Sequence, residues 1–176
     1  MVKPKRIWVT GNTGSGKTTV SDRVAKTLNL DLYELDAINW GPNWQMADKQ
    51  EFRKKVAEIC KDDSWVIDGN YTKARDLMLA RVETILFLHP PLFVSLWRVL
   101  IRSLRRYLTK EELWAGNKET LRGNLLSSNS LLFYALRSHR KRTQQFDQES
   151  SDSANRHISF HEFKRPSQID TWLQSL

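Results

Sequence analysis

Cysteine is almost absent from this chain. Cys60 stands alone among 176 residues, which excludes a disulfide framework and a clustered-thiol metal site. Its place among Val56, Ile59 and other helix-spaced residues makes it a buried structural thiol. Long hydrophobic runs are missing too. The most apolar stretch, residues 82–104, is broken by Glu83, Pro90, Pro91, Arg98 and Arg102, so neither a membrane span nor a membrane partner is expected. The opening Met1-Val2-Lys3-Pro4-Lys5-Arg6 leaves only four residues before a glycine, too few for the apolar core of a signal peptide. The cytoplasm is the expected location. Acidic residues are in deficit, 20 against 28 lysines and arginines, for a net charge of +8. The excess gathers in Arg98, Arg102, Arg105, Arg106 and Lys110, and again in Arg137, Arg140, Lys141 and Arg142. Such charge suits nucleic acid or an anionic surface. It equally suits a site that neutralises phosphate.

Glycine is scarce as well, seven in all, and three of them fall between residues 11 and 16. There the sequence reads Gly11-Asn12-Thr13-Gly14-Ser15-Gly16-Lys17-Thr18-Thr19, the pattern G-x-x-x-x-G-K-[ST] of a phosphate-binding loop. Ile7-Trp8-Val9-Thr10 leads in as a strand, and a helical run over 18–28, with Val20, Val24 and Leu28 on one face, leads out. Backbone N–H groups of such a loop, with the helix N-terminus behind them, cradle an anion. Lys17 is then expected to bridge the β- and γ-phosphates, and the Thr18 hydroxyl to ligate Mg²⁺.

Further strands are expected over 30–35, 64–68, 82–88 and 157–163. Helices are expected over 47–61, 72–81, 92–107 and 166–176, with helical residues up to about 146. Residues 39–44, rich in Trp, Gly and Pro, read as a loop, residues 109–120 as a polar connector, and 144–155 as a disordered loop. Strands alternating with helices argue for a parallel sheet covered on both faces. Ligands bind at the carboxyl ends of such strands, so Thr10, Asp36, Asp68 and His89 are expected on one rim. Asp68 either holds Mg²⁺ through water or caps the following helix. Asp36 either orients or deprotonates an acceptor hydroxyl or caps a loop. Trp40, Trp44 and Tyr71 offer flat rings for a ligand or for packing. Arg98 and Arg102 share a helix face, suited to phosphate oxygens. Asn117-Lys118-Glu119-Thr120 lacks the aspartate of a guanine-reading N-K-x-D, which argues against a GTPase.

Taken together, Gly11–Thr19, Leu35-Asp36-Ala37-Ile38-Asn39-Trp40, Trp65-Val66-Ile67-Asp68-Gly69-Asn70-Tyr71, Leu96–Arg102 and Lys164–Leu173 resemble P-loop kinases of the nucleoside monophosphate kinase type. They resemble more closely the adenylate-kinase-like bacterial proteins known as DNA topology modulation proteins. The resemblance implies an α/β three-layer sandwich. Its five-stranded parallel sheet has the order 2-3-1-4-5, and a helical lid closes over the site. It places Arg75 in the acceptor site and Arg165-Pro166 in the turn facing adenine. It also likens Glu119-Thr120-Leu121-Arg122 to the segment that closes the lid. Asp36 stands where kinases of small hydroxylated acceptors carry an aspartate.

The expectation is a single domain, with a core of residues 1–107 and 156–176 and a lid over 108–155. It would use ATP and Mg²⁺ to phosphorylate a nucleoside monophosphate or a small hydroxylated metabolite, as a monomer or homodimer. Lys17, Asp36, Arg98 and Arg102 are the candidate catalytic residues. The alternative is an ATP-binding regulator associated with nucleic acid, or an ATPase without kinase activity. No nucleic-acid-binding motif supports it.

Overall fold

The computed structural model describes residues 3–118 and 131–176. Its centre is a five-stranded, all-parallel sheet of order β2-β3-β1-β4-β5. The strands are β1 (Arg6–Gly11), β2 (Leu32–Glu34), β3 (Trp65–Asp68), β4 (Thr84–Leu88) and β5 (Ser159–Phe163). β1 lies between β3 and β4, with Val9 opposite both Asp68 and Leu86. Because all strands run one way, Gly11, Glu34, Asp68, Leu88 and Phe163 end on a single rim.

Alternation along the strands divides the core into two layers. Ile7, Val9, Val66, Leu86 and Leu88 pack with Val20 and Val24 of α1 (Lys17–Leu28) and with Ile169 and Trp172 of α7 (Pro166–Gln174). On the opposite face, Trp8, Trp65, Ile67 and Ile85 pack with Phe52, Val56 and Cys60 of α3 (Lys49–Lys61) and Met78 of α4 (Arg75–Leu79). Cys60 is buried, and that burial pushes its thiol up to about 11, far from a reactive thiolate. Asp48 caps α3, its carboxylate accepting the Gln50 and Glu51 N–H groups, so the helix starts at Lys49, two residues later than the sequence pattern predicts.

Two expectations need correction. The strand before Asp36 stops at Glu34, and Asp36 lies in the first turn of the short helix α2 (Leu35–Asn39). The polar run over 144–155 is not a disordered loop: α6 (Leu131–Ser151) runs through it, followed by a 3-10 turn at Ser153–Asn155. The composition there is polar, but one side of the helix is anchored to the core. Phe146 stacks on Phe87 with centroids 4.5 Å apart, and Glu149 pairs with Arg75. Residues three apart share a helix face, so two anchors suffice to hold the last turns.

Candidate active site

The phosphate-binding loop emerges from the rim at Gly11 and turns directly into α1. Gly14 has φ 76°, and a Cβ there would lie 2.3 Å from the Ser95 carbonyl oxygen and 2.8 Å from Val99 Cγ2. Both belong to α5 (Leu92–Thr109), which therefore walls the loop at backbone distance. The N-terminus of α1 has no side-chain cap, which leaves its first N–H groups for an anion. Lys17 Nζ folds back onto the Asn12 carbonyl at 3.1 Å. Thr13 and Gly16 are half-buried, Ser15 is buried, and Thr18 and Thr19 are open to solvent.

Two side chains that sequence reasoning did not single out clamp this loop. Asn70 Oδ1 accepts from the Thr10 hydroxyl at 2.5 Å and from the Gly11 N–H at 3.1 Å, while its Nδ2 donates to the Gly11 carbonyl. From α6, the Ser138 hydroxyl donates to Asn12 Oδ1 at 2.6 Å in a buried contact. Asn70 directly follows Asp68-Gly69, a signal available in the sequence; Ser138 had none.

Asp68 closes β3 and is buried. Its Oδ2 accepts from the Thr18 hydroxyl at 2.8 Å, and its Oδ1 is buried without a hydrogen-bond partner among the described residues. Burial lifts its pKa to about 6 against the pull of Lys17 and the Thr18 hydroxyl. A threonine hydroxyl beside an orphaned carboxylate oxygen is a donor set suited to a small hard cation such as Mg²⁺. Lys17 is pushed below its ordinary value by burial, with Asp68 and Asp36 opposing and Arg102 and Arg142 adding to the fall. Asp68, Asp36, Arg102 and Arg142 are thus all near enough to Lys17 to act on its charge. Arg142 stands apart from the rest of the basic 137–142 run. Arg137, Arg140 and Lys141 are indeed exposed, but Arg142 is half-buried and donates to Gln145 Oε1 at 3.2 Å. Arg98 Nη1 donates to the Ser15 carbonyl at 3.2 Å and so crosses the loop.

On the far side of the rim, the Tyr71 hydroxyl donates to Asp36 Oδ1 and fixes that carboxylate. Trp40 and Trp44 meet edge to face, centroids 5.5 Å apart. They flank a tight hairpin in which Gln45 N–H donates to the Pro42 carbonyl and both Asn43 and Trp44 have φ 56°. For a residue as bulky as Trp44 this is a strained backbone. Residues 112–118 form a second hairpin rather than an irregular connector, with Ala115 at φ 55° and Gly116 at φ 75°. Asn117 joins the two. Its Oδ1 accepts the Trp44 N–H at 2.9 Å, and its Nδ2 donates to the Gly41 and Trp114 carbonyls, each at 2.8 Å. Trp114 Nε1 also reaches Glu34 at 3.2 Å. Glu119-Thr120-Leu121-Arg122 lie outside the described residues.

Arg75 departs from its expected place in an open acceptor site. It is buried over the Trp8 ring at 4.3 Å, and its Nε and Nη2 are both donated to Glu149. Only Nη1 is left without a protein partner among the described residues. His89 is also drawn from the rim centre, bonding Glu162 at 2.7 Å and the Thr143 hydroxyl at 3.1 Å. The turn at 164–166 does lie on the rim, after β5. There the Gln168 side chain accepts the Lys164 and Arg165 N–H groups.

No protein-family model matches the chain, and no curated protein matches it. Solved structures do. A shikimate kinase from Acinetobacter baumannii, in complex with shikimate, superposes with a TM-score of 0.60 over 98% of this chain and 90% of its own, at 14% identity. A shikimate kinase from Bacteroides thetaiotaomicron gives 0.59 over 98% and 96%, at 17% identity. A gluconokinase from Sinorhizobium meliloti 1021 gives 0.56 over 98% and 90%, also at 17% identity. The fold is that of the P-loop kinases. Similarity at this level of identity speaks for the fold alone. Within the P-loop kinase fold, the rim occupied by Lys17, Asp68 and Asp36 is the carboxyl end of the sheet, where ligands bind.

Proposed function

We propose that the protein is a phosphotransferase that moves the γ-phosphoryl group of ATP to a hydroxyl of a small acceptor. The observation that carries this reading is the convergence of Lys17, the Thr18–Asp68 pair and Asp36 beside a glycine loop walled by an arginine-bearing helix. The loop N–H groups and the α1 N-terminus bind the phosphates. Lys17, released from the Asn12 carbonyl, bridges the β- and γ-phosphates. Thr18 and Asp68 would hold Mg²⁺, which supplies charge neutralisation across the transferring group. Arg98 and Arg102 stabilise the equatorial oxygens. Asp36, oriented by Tyr71, accepts the proton of the attacking hydroxyl. The turn at Arg165 and Pro166 borders the base.

The acceptor lies between Asp36, the Trp40–Trp44 hairpin and Arg142. A small hydroxylated molecule bearing an anionic group suits these partners. The acceptors named for the structural neighbours are of this kind, which favours that class over a nucleoside monophosphate. The kinship with adenylate-kinase-like and DNA-topology-modulation-type proteins belongs to the same reading, and the cytoplasm is where its ATP would be found. Part of the +8 charge is thereby explained by arginines turned towards phosphate, which weakens the nucleic-acid alternative. The test is ADP release from ATP·Mg²⁺ with nucleoside monophosphates, hydroxylated acids, sugars and an acceptor-free blank, beside Lys17→Ala. Acceptor-dependent release that disappears in the variant supports the proposal. Acceptor-independent release, or turnover unaffected by Lys17→Ala, refutes it.

A further inference from the structure

Helix α5 is built inside out. Its buried residues are Ser95, Val99 and Ser103, whereas Phe93, Trp97, Ile101, Leu104 and Leu108 lie on its outer side. Phe93 is 72% exposed, Trp97 63% and Leu108 70%. The outer residues recur at steps of three and four, one continuous stripe that spans about 22 Å at ~1.5 Å per residue. The small inner residues are explained, since Ser95 and Val99 sit against Gly14 and nothing larger fits there. The outer ones are not, because a monomer gains nothing by holding five large apolar side chains in water.

We propose that this face of α5 docks the protein onto an anionic lipid surface, the helix lying in the plane of the interface. Charge singles out the occupant. α5 carries no acidic residue, and of its four arginines Arg98 crosses the phosphate loop, Arg102 acts on Lys17 and Arg106 pairs with Glu111, which leaves Arg105 exposed. Arg105 is exposed beside the stripe, Lys110 is exposed just past the end of the helix, and Arg137, Arg140 and Lys141 are exposed on α6, which packs along α5. A second copy presenting the same stripe would bring together two helix faces bordered by Arg105 with no acidic residue on either helix to offset it, an arrangement opposed by like charge. The high exposure of Phe93, Trp97 and Leu108 makes the stripe a ridge, which sinks into a deformable medium more readily than it seats a rigid partner. Aromatic and aliphatic side chains on one side with basic residues around them are what an in-plane helix requires. No helix among the described residues is long and apolar enough to cross a membrane, so the contact is adsorption.

The experiment uses the full chain with vesicles of phosphatidylcholine, alone or mixed with anionic phosphatidylglycerol. Sedimentation should recover the protein with the anionic vesicles at least about tenfold better than with the neutral ones, and added salt should weaken binding. Brominated acyl chains should quench tryptophan fluorescence, and Trp97→Phe should remove most of that quenching. Trp97→Glu and Leu108→Glu should each lower vesicle binding at least about tenfold while leaving the melting temperature unchanged, as surface positions allow. Failure to bind either vesicle overturns the proposal. So does equal binding by the two glutamate variants, or a concentration-dependent doubling of mass abolished by Trp97→Glu, which would assign the ridge to a second copy. None of these readouts depends on catalysis, so the phosphotransferase proposal stands or falls separately.

Discussion

Asp68→Asn tests whether the fold bears a buried charge for the sake of its site. Burial raises this carboxyl from an ordinary 3.8 to about 6. One pKa unit is worth about 1.36 kcal/mol, so ionising the buried group costs the native state roughly 3 kcal/mol near neutral pH. The native state holds the proton more tightly than the unfolded chain does. The carboxyl therefore favours the fold most below pH ~4, and this advantage is lost as pH rises through about 6. Asparagine keeps an oxygen for the Thr18 hydroxyl and carries no charge. Against this gain, Lys17 loses the attraction of Asp68. A net stabilisation of about 1–2 kcal/mol remains, or roughly 2–8 °C in Tm for a chain of this size. The assay is calorimetric melting of nucleotide-free protein in chelator, near pH 7.5 and again near pH 4.5. The variant should melt higher at neutral pH, and most of the difference should vanish in acid. A variant less stable near pH 7.5, or a gain independent of pH, refutes the reasoning.

Two other changes probe the supports of the site. Glu149→Ala leaves the Arg75 guanidinium buried and unpaired and should cost about 3–5 kcal/mol. The double change Arg75→Met with Glu149→Leu should recover most of that loss in a thermal melt. Asn117→Ala removes the two hydrogen bonds by which this side chain joins the hairpins, and a third within its own hairpin. On the proposed function it should raise the acceptor KM several-fold more than the ATP KM, and steady-state kinetics with each substrate varied in turn distinguish the two.

The parallel sheet and the phosphate loop were legible because both are local. Gly11–Thr19 sits between an apolar strand and an amphipathic helix, and each strand ends at a residue that breaks the apolar run. What the sequence hid depends on partners far along the chain. Arg75 and Glu149 are 74 residues apart, so nothing near either one marks it as half of a buried pair. The same distance disguised the last turns of α6, whose polar surface is the reverse side of a helix anchored by Phe146 and Glu149. Arg142 was grouped with its exposed neighbours because periodicity alone does not say which face of a helix meets the core. The two hairpins escaped for another reason. Such turns ordinarily call for glycine at positive φ, yet Asn43, Trp44 and Ala115 occupy those positions here.

The seam at Asn117 has a thermodynamic consequence. One of the joined hairpins flanks the acceptor region. The other continues from α5, which lies against Gly14 and carries Arg98 across the Ser15 carbonyl. On the proposed function, an acceptor that shifts the first hairpin would displace the element bordering the phosphates, and nucleotide binding would pull on the acceptor side through the same connection. Linkage makes this reciprocal: whatever factor the acceptor contributes to ATP affinity, ATP must return to the acceptor. On the proposed function the two ligands would then be heterotropic effectors of one another, coupled through the contacts that Asn117 and Trp44 make across the seam.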